Sequence, residues 1–138
     1  MEIQKEIEPE LYEAIKIHYE AGLYSNAILD AIKELTELIR EKAKLDGDGA
    51  NLVGQAFGGT SPPIKISPMQ KASEVDEQRG FEQLLRGLYI GIRNPRTHEI
   101  YTDKKDSCDA IVLFVNYLIS IIRSTHSFFV LDGLQILQ

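Results

Sequence analysis

Several things are scarce in this chain of 138 residues, and each scarcity excludes something. There is one cysteine, Cys108, so no disulfide forms within the chain and no multi-cysteine zinc site is available. A lone thiol fits a reducing cytoplasm, and the acidic start "MEIQKEIEPE" lacks the charged-then-apolar order of an export signal. Tryptophan is absent and histidine occurs three times, at His18, His98 and His126. Long hydrophobic runs are missing too. The most apolar stretch, Ala110 to Ile122, is interrupted by Asn116 and Ser120 and falls short of the roughly 20 residues that cross a bilayer, so it reads as a buried helix and no membrane partner is expected.

Basic residues are also in the minority. Lys and Arg number 15 against 21 Asp and Glu, a formal charge of −6, which disfavours unspecific coating of nucleic acid. The imbalance is local. Residues 1–48 carry 6 basic and 12 acidic side chains, net −6, whereas residues 79–105 carry 6 basic and 3 acidic ones, net +3. An anion site on an acidic protein, or a solvated helix face, accounts equally for that excess.

What the sequence does contain is helical periodicity, enough for one domain and one core at this length. Apolar spacing from Ile7 to Ile15 predicts a first helix over 8–21, with Pro9 in its first turn. A second begins with Ser25 or Asn26 as cap and carries Ile28, Ala31, Ile32, Leu35, Leu38 and Ile39 on one face. Residues 46–80 hold six of the ten glycines and three of the five prolines and read as a long loop, with "NLVGQAF" as a possible short helix. Calcium at "DGDG" is rejected, because the fifth and twelfth loop positions fall on Ala50 and Phe57. A third helix is predicted over 81–93, ending where Asn94 meets Pro95. Its Arg86 and Arg93 lie two turns apart on one face, and Gly87 and Gly91 invite a close backbone approach, within the monomer in preference to a subunit interface. A fourth helix starts near Asp103 or Asp106 and reaches about Ser124. The tail flanks Asp132-Gly133 with apolar residues, a hairpin signal, but a helix end followed by linker is the preferred reading.

The stretch "GIRNPRTHEI" carries the chemistry. Histidine titrates near neutrality and can take or give a proton, while arginine stays charged and presents a fork that fits phosphate oxygens. Together they suffice for RNA cleavage without a metal: His98 as acid or base, Arg93 offsetting charge at phosphorus, and Asn94 positioning either the histidine or the phosphate. The turn forced by Pro95 is expected to bring His98 back beside Arg93. Arg86 and Arg96 are candidate phosphate ligands. By spacing alone, an arginine at a helix end followed by a surface histidine needs no function, and that plainer reading is the more frequent one. No His, Cys, Asp or Glu cluster has metal spacing, and no cofactor is expected.

The segments "YEAGLYSNAILDAIKELTELIRE", "DGDGANLVGQAF" and "DEQRGFEQLLRGLYIGIRNPRTHE", in this order over roughly residues 8–124, resemble the Ymh-type, Abi-like family, a branch of the HEPN superfamily. The resemblance implies an all-α, up-and-down bundle of about four main helices that dimerises. It implies a metal-independent endoribonuclease of a toxin, phage-defence or abortive-infection system, acting on RNA. It places the superfamily's Arg and His on Arg93 and His98, and the polar residue after the arginine on Asn94. Such domains are often the C-terminal part of a longer protein, so the chain is either a small complete member or one domain of a larger one. A cognate antitoxin or defence partner is compatible with the family. One departure is informative: HEPN toxins silenced by a nucleotidyltransferase carry a tyrosine two residues after the histidine, and Ile100 stands there, with Tyr101 one later, so that kind of antitoxin is not supported. Two alternatives stay open, a catalytically silent module that binds RNA or a nucleotide, and a dimerisation or regulatory domain.

Overall fold

The computed structural model describes residues 1–125 and the backbone of 128–131 and 134–137. The body is all-α. A single turn, α1 (Ile3–Glu6), leads into α2 (Pro9–Glu20), whose start is tied down by the Asn116 side chain accepting from the Glu8 N–H at 2.9 Å. Gly22, at φ +75°, turns the chain into α3 (Tyr24–Ala43). This central helix buries Ile28, Ile32, Leu35 and Ile39 and packs against α2 and against α7 (Lys105–Arg123). The apolar stripe expected of it is therefore its core face. Its expected caps are not: Leu23 is the cap residue, and Ser25 instead hydrogen-bonds Asp103, 78 residues away.

The long loop is shorter than its composition suggests. Residues Gly49–Phe57 form α4, and the helix expected from residue 81 already starts at residue 72 as α5 (Ala72–Gly87). Its first turn is held by Glu74, whose Oε1 accepts from the N–H groups of Gln70 and Lys71 at 3.1 and 3.0 Å. Apolar periodicity misses this half because a core position is filled by a polar residue. Gln78 is fully buried, donates to the carbonyls of Phe57 and Ile64, and accepts from the Ile66 N–H, so that its amide pins the end of α4 and the loop after it to the helix.

Pro95 does not end the helix. After α5 the backbone widens into a π turn, Leu88–Arg93, and continues as α6 (Asn94–His98), with Asn94 itself helical and its N–H reaching the Tyr89 carbonyl. The wider ring absorbs a residue that has no N–H to give, and the Arg96 side chain adds a donor to the Ile92 carbonyl at 3.0 Å. Helical structure stops at Glu99, which is extended.

Space around Gly87 and Gly91 is open: a Cβ built on either meets nothing within 4 Å. The close approach expected inside the monomer is absent among the described residues. Cys108 is buried in the face of α7 that meets the core, and burial pushes its thiol up to about 12. After α7, β1 (Phe128–Leu131) pairs antiparallel with β2 (Leu134–Leu137), Leu131 facing Leu134, which corrects the linker reading of the tail. His126 and the Asp132-Gly133 pair lie outside the described residues. No helix among the described residues is long and apolar enough to cross a membrane.

Candidate functional site

Arg93 leaves the π turn toward α3 and α4 and lines a cleft of about 340 Å³. Its guanidinium is fixed on three sides. Nε donates to Asn94 Oδ1 at 3.0 Å, Nη1 to Asp48 Oδ2 at 2.9 Å, and the carbon lies 5.2 Å from the centre of the Tyr89 ring. Asn94 thus orients the arginine. Tyr89 is a rigid backing: it is fully buried, and its hydroxyl meets Thr36 Oγ1 at 2.6 Å while Thr36 donates to the Ile32 carbonyl. Burial above all pushes the Tyr89 phenol up to about 12, so it stays neutral.

The glycines of α4 explain how two arginines reach this side. A Cβ on Gly49 would lie 2.8 Å from Arg93 Nη2, and one on Gly54 would lie 2.6 Å from Arg86 Nη2. Gly49 also has φ +61°, a conformation that favours glycine. Arg86 and Arg93 therefore do share a face, and that face rests on α4. Arg86 is further paired with Glu82 at 3.2 Å.

A residue that sequence reasoning missed completes the cleft. Arg40, from the last turns of α3, points at the same aspartate: its Nη2 is 4.0 Å from Asp48 Oδ1, its Nε donates to the Gly47 carbonyl at 2.7 Å, and its Nη1 to Glu37 at 2.6 Å. Lys33, Glu37 and Thr97 line the remaining wall. A more open hollow of about 660 Å³ lies beyond Arg40, but Glu37, Glu41 and Asp46 make it a poorer place for an anion.

The other expected members are elsewhere. His98 is exposed at the end of α6 and makes no hydrogen bond or ion pair among the described residues. Five residues after Arg93 on continuous helical backbone, it points about 140° away around the axis, so the turn expected to bring it back beside Arg93 does not form and the two do not meet in one protomer. Arg96 is closed on Asp103 through two hydrogen bonds, Nε to Oδ2 at 2.8 Å and Nη2 to Oδ1 at 2.7 Å, with Tyr101 over its plane at 4.2 Å. Both side chains are nearly buried, 8% and 4% exposed, and Ser25 adds a hydrogen bond to the carboxylate. The phosphate role expected of Arg96 gives way to a structural clamp, and the Arg96 hydrogen bonds hold the Asp103 carboxyl below its usual range. No group of three or more His, Cys, Asp and Glu gathers as a metal site among the described residues.

No curated protein and no solved structure matches the chain. A family model does match, over residues 5–122, which includes every residue of the cleft and His98. The chain belongs to that family, the proteins of unknown function designated Hypoth_Ymh.

Proposed function

We propose that the protein is a HEPN-type endoribonuclease of a toxin, phage-defence or abortive-infection system, which cleaves RNA without a metal ion and acts as a homodimer in the cytoplasm. The observation that carries the reading is the contrast within one short helical stretch: Arg93 is half-buried and fixed in a cleft, while His98 is exposed and has no partner among the described residues. A fixed guanidinium suits charge developing on phosphate oxygens. A solvent-facing imidazole suits proton transfer.

In the reaction, the ribose 2′-oxygen loses its proton to one histidine and bonds to phosphorus, while the 5′-oxygen leaves and takes a proton from a second acid. The product is a 2′,3′-cyclic phosphate and a 5′-hydroxyl. Among the described residues of one protomer His18 is held by Asp30 and His98 is left for this role, and His98 of the partner subunit is the natural source of the other. Dimerisation through the open face of α5 and the π turn, where Leu84 and Ile90 are exposed beside Gly87 and Gly91, supplies the arrangement. The alternative, a module that binds RNA or a nucleotide without turnover, is favoured by the separation of Arg93 from His98 within the protomer.

The test is cleavage of mixed cellular RNA in EDTA, with His98→Ala as control. Cyclic-phosphate ends and loss of activity in the variant are expected. Full activity in His98→Ala overturns the mechanism, and RNA binding without turnover gives the second reading its place.

A further inference from the structure

Asp48 occupies the position an anion would take. Its Oδ2 is 2.9 Å from Arg93 and its Oδ1 is 4.0 Å from Arg40, so one carboxylate faces guanidinium groups brought together from positions 53 residues apart in the chain. A phosphodiester likewise presents two oxygens on one centre, in a geometry that arginine forks recognise. The pair is not built like a structural ion pair. The Asp48 side chain is 53% exposed, against 24% for Arg93 and 33% for Arg40, so the cations are held in place and the anion stands at the mouth. Each arginine also has a separate anchor that does not involve Asp48: Asn94 and Tyr89 for Arg93, Glu37 and the Gly47 carbonyl for Arg40. Asp48 lies between Gly47 at φ +119° and Gly49 at φ +61°, and its own side chain makes no capping bond to α4. Removing its charge therefore leaves the two guanidinium groups where they are.

We propose that Arg40 and Arg93 together form a phosphodiester-binding site, and that Asp48 is its resident counter-ion, displaced when an RNA phosphate enters the cleft. The proposal rests on the reading of the protein as one that acts on RNA, but it concerns binding and not turnover. Lys33 on the cleft wall adds positive charge on the path of an entering strand. Asp48 acts as a threshold: it neutralises the site toward weak anions and yields to a ligand that engages both arginines at once.

The experiment is fluorescence-polarisation binding of a short 2′-O-methyl oligoribonucleotide, which resists 2′-hydroxyl chemistry, to the wild-type chain and to Asp48→Asn, Arg40→Ala, Arg40→Gln and Arg93→Ala. Asp48→Asn is expected to tighten binding about two- to fivefold, the scale of an exposed ion pair no longer opposing the ligand. Each arginine variant is expected to weaken it about 10-fold or more, the scale of a charge-assisted hydrogen bond. Arg40→Gln keeps the side-chain stem and reads out the charge should Arg40→Ala fold poorly. Unchanged or weaker binding in Asp48→Asn overturns the proposal, as does wild-type affinity in Arg40→Gln, or no binding by either the wild type or Asp48→Asn. Cleavage of ordinary RNA, assayed alongside with His98→Ala, separates the two ideas. Turnover with no Asp48 effect leaves the nuclease reading standing and removes this one. An Asp48 effect without turnover does the reverse.

Discussion

Arg93 and Arg96 lie three residues apart on one helical stretch, carry the same side chain, and have been put to opposite uses. Arg96 faces a carboxylate that is 4% exposed, with every available direction filled by Asp103, the Ile92 carbonyl or the Tyr101 ring. Arg93 faces one that is 53% exposed, across a cleft with room beyond it. The accessibility of the counter-ion, more than that of the arginine, separates a side chain that holds the fold from one that can receive a ligand. Breaking a buried pair leaves an uncompensated charge, whereas an exposed pair exchanges its partner for water at little cost.

The largest effect that would sharpen this contrast is on stability. Arg96→Ala should lower the unfolding free energy by about 3–5 kcal/mol, read from urea denaturation, because Asp103 is stranded beside Ser25. Arg93→Ala should cost no more than about 1 kcal/mol, and equal losses in the two variants would break the comparison. Next is activity: Arg93→Ala and His98→Ala should each slow RNA cleavage by about 100-fold or more. Gly49→Ala comes third. It places a methyl group against the Arg93 guanidinium in a backbone conformation that costs L-residues roughly 1–2 kcal/mol, so it should weaken both stability and cleavage while leaving Arg96 untouched. The smallest effect is with acid. The Asp103 carboxyl is held down in the folded state, so its contribution is complete above its ordinary value of 3.8 and is lost as pH falls below that, through the depressed folded value. The drop in urea midpoint between pH 5 and pH 3 should therefore be smaller in Arg96→Ala than in the wild type.

The main helices were legible because α3 and α7 carry apolar residues at helical spacing over 20 and 19 residues. The first half of α5 was not, since its inward position is Gln78, a polar residue that reads as surface until its three partners are known. Asn94-Pro95 reads as a stop because local rules assume a regular helix before it, and a π turn relaxes that assumption. Of the residues the sequence points to, Arg93 lines the cleft and Asn94 holds its guanidinium from one side. Arg40 carries no local signal, and the spacing around Asp48 speaks only to calcium, and against it. The acidic Asp48 between two glycines, opposite an unusually basic segment, was the one available hint that it answers a positive charge elsewhere. Arg96 shows the converse, since spacing cannot tell a guanidinium that is closed on Asp103 from one that is open.

The π turn at Leu88–Arg93 also acts as a phase shifter. A π turn holds one residue more than the α-helical turn it replaces, so everything after it is rotated by about 100° relative to an uninterrupted helix. In that shifted frame Arg93 points into the cleft, Arg96 toward Asp103 and His98 toward solvent. The angular setting of the whole motif against α5 thus depends on a single residue's worth of backbone. A one-residue deletion inside the turn should consequently be better tolerated than a one-residue insertion: the deletion closes the wide turn to a regular α turn and leaves the side chains after it on their bearings, whereas the insertion has no such slack and turns them together.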